Sequence, residues 1–70
     1  MDLRRFVIYI PAYNAAVTLP RVIERIPPAV RETVKEILVV DNHSADNTHL
    51  IALRIKNDQN VHNLEVIRNA

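Results

Sequence analysis

Two short polar boxes hold the side chains of this chain best suited to chemistry, and each directly follows an apolar run. Pro11-Ala12-Tyr13-Asn14 follows Phe6-Val7-Ile8-Tyr9-Ile10, and Asp41-Asn42-His43-Ser44-Ala45-Asp46 follows Ile37-Leu38-Val39-Val40. In a parallel α/β sheet, loops at the carboxyl ends of neighbouring strands open onto one crevice, and ligands bind there. Asp41 stands where such a protein places a ligand-binding acid. Its carboxylate can accept from a ribose hydroxyl pair or a base N–H, or it can bond only the N–H groups of its own turn. Ser44 or Asp46 suits the cap of a following helix, and a capped helix start is also a natural anion site. Asn14 either bonds across to the second loop or caps the first helix, and Tyr13 either packs or stacks on a ligand. Asn42 is suited to the left-handed conformation that a turn without glycine needs.

Other chemistries find little support. His43, His49 and His62 are spaced unlike any common zinc pattern. There is no cysteine, hence no disulfide and no thiolate metal site. Glycine is absent as well, which rules out a dinucleotide fingerprint and a phosphate-binding P-loop. No Ser-His-Asp arrangement is suggested, and no Asp-x-Asp pair occurs. Net charge is +1, with acids and bases interspersed, so no broad basic face is available to nucleic acid. Arg4, Arg5, Arg21 and Arg25 read as solvated. The apolar run behind Arg4 and Arg5 ends at Pro11, too short for a signal core or a membrane span. The expected compartment is the cytoplasm.

The elements that must position the boxes are legible as alternating strands and helices. The 49% apolar and 24% charged residues are ordinary for a globular chain, and 70 residues make one small domain at most. Residues 6–10 form a continuous, partly β-branched run, as in a strand covered on both faces. Leu19, Val22, Ile23 and Ile26 share one helical face, with Thr18 as N-cap and Pro20 in the first turn. Pro27-Pro28 ends that helix. Residues 30–35 are ambiguous, one helical turn at most, and residues 37–40 are the second strand. A helix over about residues 47–57 presents Leu50, Ile51, Leu53 and Ile55. Asn57-Asp58-Gln59-Asn60 breaks it, and residues 64–68 are a third, less buried strand. The order β-α-β-α-β with right-handed crossovers gives a parallel sheet in spatial order 3-2-1, half of a doubly wound fold. The far edge of strand one then lacks a partner and is a predicted association site.

The two boxes resemble the amino-terminal portion of family 2 glycosyltransferases, whose A-type nucleotide-sugar fold opens with a strand, Pro-x-Tyr-Asn-Glu, a helix, a second strand and Asp-[Asp/Asn]-Gly-Ser-x-Asp-x-Thr. Here the matches are Ile10-Pro11-Ala12-Tyr13-Asn14 and Val39-Val40-Asp41-Asn42-His43-Ser44-Ala45-Asp46-Asn47-Thr48. The segment from Leu19 to Pro27 is similar to members that transfer sugars to polyprenyl phosphate. The resemblance implies a Rossmann-like nucleotide-diphospho-sugar transferase fold, of which residues 1–70 are a single partial domain. It implies that Pro11, Ala12 and Tyr13 line the nucleotide pocket and that Asp41 contacts the base and ribose. Ser44 and Asp46 would hold the second loop and helix start, and Asn14 the first loop. Two positions depart from the pattern: Ala15 replaces the glutamate, and His43 replaces the glycine.

The family's metal-binding Asp-x-Asp pair, catalytic base and acceptor site belong to later segments, so no catalytic or metal residue is expected among residues 1–70. Mg²⁺ or Mn²⁺ is expected in a complete enzyme. The expected function is the nucleotide-sugar-binding front of a glycosyltransferase that uses a UDP- or GDP-type donor and an acceptor such as polyprenyl phosphate or a glycan. The chain reads as a fragment, a truncated reading frame or a decayed copy, expected to bind donor weakly and to be inactive alone. An alternative of another class is a non-catalytic α/β association module, pairing through the strand-one edge with a second copy or with a carboxyl-terminal half. A flavodoxin-like or receiver-type regulator would need more acids after strand one than Pro11-Ala12-Tyr13-Asn14 offers.

Overall fold

A computed structural model describes residues 2–69. After a single 3-10 turn, Leu3–Arg5, the elements run β1 (Val7–Ala12), α1 (Leu19–Arg25), α2 (Pro28–Thr33), β2 (Glu36–Asn42), α3 (Thr48–Asp58) and β3 (Leu64–Asn69). The three strands form one parallel sheet in the order β1-β2-β3. Two successive right-handed crossovers in the same direction put their helices on the same face of the sheet. α1 and α3 accordingly pack beside one another. The chain is therefore α/β, with the expected strand order.

The local causes are mostly those of the sequence. Leu19 and Ile23 of α1 are buried, and Pro20 sits in its first turn. Thr18 is the N-cap residue, although its side chain makes no cap bond. Pro27 forces Ile26 into an extended conformation, and Pro28 then opens α2, where its missing N–H has no partner to lose. The ambiguous stretch thus contains a real, short helix. β1 runs two residues further than expected and includes Pro11. An edge strand tolerates this because one side of its backbone has no ladder to complete.

The core lies between the helices and one sheet face, and gathers Ala12, Leu19, Ile23, Ile37, Val39, Ala52, Ile55 and Leu64. Two expectations are corrected here. β1 is not covered on both faces: Ile8, Ile10 and Ala12 turn inward, while Val7 and Tyr9 are 47% and 58% exposed. On α3 the inward residues are Thr48, Ala52 and Ile55, at helical spacing i, i+4, i+7, whereas Leu50 and Leu53 are exposed. The molecule measures 37 × 22 × 17 Å. Its short dimension accommodates a sheet and one helical layer, each helix being about 10–12 Å across.

Candidate functional site

Sheet register brings the two boxes together. Ala12 at the end of β1 is paired with Asp41 at the end of β2, and Asp41 in turn with Arg68 on β3. The loops that leave β1 and β2 therefore share one rim, as parallel topology requires.

Beyond Ala12 the first loop is held by a row of side chains from the second box. The N–H of Asn14 donates to Ser44 Oγ at 2.9 Å. The N–H of Ala15 donates to Thr48 Oγ1 at 2.8 Å, and that of Ala16 to Asp46 Oδ2 at 3.2 Å. One bond returns: the Ala45 N–H donates to Asn14 Oδ1 at 2.8 Å. Three successive backbone donors in a tight, glycine-free loop would otherwise lack partners, which is costly where water is excluded. The spacing Ser-x-Asp-x-Thr supplies one acceptor for each. Of the alternatives for Asn14, the bond across to the second loop is the one formed.

Asp41 sits beneath this clasp and is 1% exposed. Its Oδ1 accepts from the Ser44 N–H at 3.0 Å, and its Oδ2 lies 4.0 Å from Nε of Arg68. The turn-bonding role of this aspartate is thus occupied on one oxygen. The other faces a guanidinium whose own side chain is 55% exposed. Sequence reasoning missed Arg68 and placed Thr48 only at the end of the second motif. The register of a third parallel strand was the available signal for the first, and the row of loop donors for the second.

Asp46 bonds both loops. Its carboxyl is held below its ordinary value chiefly by the Thr48 hydroxyl, assisted by the N–H groups of Ala16 and Thr48 and opposed by desolvation. The Thr48 N–H, first in α3, reaches Asp46 Oδ1 at 3.0 Å. Asp46 thus helps close the helix start from outside the N-cap position, which is Asn47 and makes no side-chain cap bond. Ser44 does not cap the helix and serves the clasp instead. The left-handed residue of the second turn is His43, with φ 60°, not Asn42. Asn42 ends β2 in extended form, and its Oδ1 accepts from Asn69 Nδ2 at 2.7 Å. Asn14 is left-handed as well, with φ 49°, a conformation asparagine tolerates better than most residues.

Pro11 and Tyr13 are exposed on the rim, Tyr13 at 67%. A cavity lies at the other end of the sheet, lined by none of these residues. Among the described residues no three carboxylate, imidazole or thiol groups gather as a metal site. Asp41 Oδ1 and both carboxylate oxygens of Asp46 accept from protein donors.

The profile of glycosyl transferase family 2 matches residues 7–70. The chain belongs to glycosyl transferase family 2. That match spans both boxes, the three strands and the intervening helices, so the clasp and the Asp41–Arg68 pair lie within the family's own segment. Neither the curated proteins nor the solved structures yield a match to this chain. No helix among the described residues is long and apolar enough to cross a membrane.

Proposed function

We propose that this family 2 chain binds the nucleoside end of a nucleotide-sugar donor at the β1–β2 rim, as the donor-binding part of a glycosyltransferase. The observation that carries the reading is the register that sets Ala12, Asp41 and Arg68 side by side, with the exposed Tyr13 following Ala12 in the chain. Tyr13 and Pro11 offer an apolar surface for a base and sugar ring, as small-molecule sites commonly do. Asp41 offers an acceptor to a base N–H or ribose hydroxyl once Arg68 moves aside. Asn14, Ser44 and Asp46 hold the loops without touching the ligand.

The consumption of the Asn14, Ala15 and Ala16 N–H groups by the clasp also bears on the ligand. Those donors are not free to cradle phosphate, so this rim favours base and ribose over diphosphate. Neutralising the diphosphate falls to Mg²⁺ or Mn²⁺ held by residues other than these, and the base and acceptor groove likewise belong to other segments. The donor is of UDP or GDP type, the acceptor polyprenyl phosphate or a glycan, and the compartment the cytoplasm, with which a cysteine-free chain is compatible. Residues 1–70 alone bind donor weakly and do not transfer sugar.

The test is an amide-resolved NMR titration of the chain with uridine, UDP and GDP, without metal. Weak, saturable shifts at Tyr13, Asp41 and Arg68 are expected, with uridine or guanosine groups accounting for most of the response. Arg68→Ala should retain the shifts at Tyr13, and Asp41→Asn should lose them. Absence of saturable shifts with every nucleotide, or a tight micromolar constant without metal, would overturn the reading.

A second reading has its own observation. β1 has an unpaired edge, and the sheet face opposite the helices exposes Val7, Tyr9 and Ile67. An α/β module that associates through this region, with a second copy or a carboxyl-terminal half, accounts for such a surface, and it is compatible with donor binding at the rim.

A further inference from the structure

We infer that a cavity remote from the two boxes is a binding site for a small organic carboxylate with an apolar body. The cavity encloses about 430 Å³ between the end of α2 and the turn that joins α3 to β3. Small-molecule sites typically enclose about 300–1,000 Å³ and combine apolar lining with a few converging polar groups. Here Val34 and Val61 are the buried apolar lining, and Arg31 and Asn63 are half-buried.

Arg31 defines the ligand's charge. One of its guanidinium nitrogens, Nη1, donates to the Ile23 carbonyl at 3.3 Å, which orients the group. Among the described residues no carboxylate lies within ion-pair distance of it, and its other N–H donors have no protein acceptor. Among the described residues no buried side-chain nitrogen or oxygen lacks a partner, so these free donors face solvent and are open to an anion. Asn63 braces the same wall: its Nδ2 donates to the carbonyls of Arg31 and Val34, each at 2.9 Å. Its Oδ1 takes no protein donor, leaving an acceptor for a ligand hydroxyl or amide. His62 adds a further polar group to the lining, and the exposed Glu32 limits how much negative charge the site takes. One carboxylate on an arene or branched alkyl group satisfies Arg31 and covers the two valines; a dianion would meet Glu32.

The experiment is an amide-resolved NMR titration of the full chain with benzoate, and with benzyl alcohol as the neutral counterpart. Saturable benzoate shifts at Arg31, Val61, His62 and Asn63 are expected, with no comparable response to the alcohol. Losing a charge-assisted bond should weaken benzoate about tenfold in Arg31→Gln. Glu32→Gln, an exposed change that leaves the packing intact, should tighten it. Equal responses to acid and alcohol, shifts confined to the Asp41 rim, or benzoate affinities unchanged in both variants would overturn the inference. The outcome is independent of nucleotide binding, since no rim residue lines this cavity.

Discussion

At the level of single residues, Ser44, Asp46 and Thr48 each accept one N–H from the first loop. Ser44 is nearly buried, so Ser44→Ala leaves the Asn14 donor without its partner. The expected cost is about 0.5–1.5 kcal/mol, the net worth of one such part-buried hydrogen bond, read as a lower urea midpoint at unchanged slope. Asp46 gives a pH-dependent test. Its carboxyl protonates at lower pH in the folded chain than in the unfolded one, being held below the ordinary value of 3.8. The stability it contributes is therefore complete above that ordinary value and is lost as pH falls through the folded one. Asp46→Asn should be less stable than the parent near neutrality, and the gap should close on acidification below about pH 4. Parallel urea-midpoint profiles for the two proteins would refute this linkage. The identities of these residues were visible as two boxes, but their pairing was not. Asn14 as cap and Asn14 as cross-loop bridge are alternatives that only the hydrogen bonding between the two loops separates.

At the level of elements, α3 shows why an apolar count misleads. Leu50, Ile51, Leu53 and Ile55 together cover too wide an arc to face one sheet, and the helix settles with Thr48, Ala52 and Ile55 inward. Ala52 is fully buried, where the helix has no room for a larger side chain. Ala52→Leu should destabilise by about 1–3 kcal/mol through overpacking, whereas Leu53→Gln on the exposed side should stay within about 0.5 kcal/mol. Denaturant midpoints of the two variants, measured side by side, check the facing. A reversal of that order would mean that the helix is rotated. The strands and their order were legible because short connections and crossover handedness leave few choices. The coverage of β1 was not, because a continuous apolar run looks the same whether one face or two are packed. The extension through Pro11 was hidden for a related reason: proline forbids a central strand but not an edge.

At the scale of the whole molecule, one helical layer covers one sheet face, and the other face has apolar residues in register. Tyr9, Leu38 and Glu65 form one row across it; Pro11, Val40 and Ile67 form the next. Val40 is buried by its neighbours in that row, while Tyr9 and Ile67 are about half exposed. Such a small domain buries only about 60% of the surface its unfolded chain exposes, so its stability is slight and a covered second face would add to it. Beside this face runs the open edge of β1, whose backbone groups are a template for another strand. The expected behaviour is reversible self-association that rises with concentration, accompanied by a rising thermal midpoint as mass action favours the folded form. Size-exclusion chromatography with light scattering, across a concentration series, measures the first, and calorimetry the second. Tyr9→Lys with Ile67→Lys places two charges on the face without touching the core or the clasp. It should shift the population to monomer and flatten the concentration dependence of the midpoint. A parent chain that stays monomeric at the highest concentration, with a constant midpoint, would show that the exposed face and edge do not drive assembly.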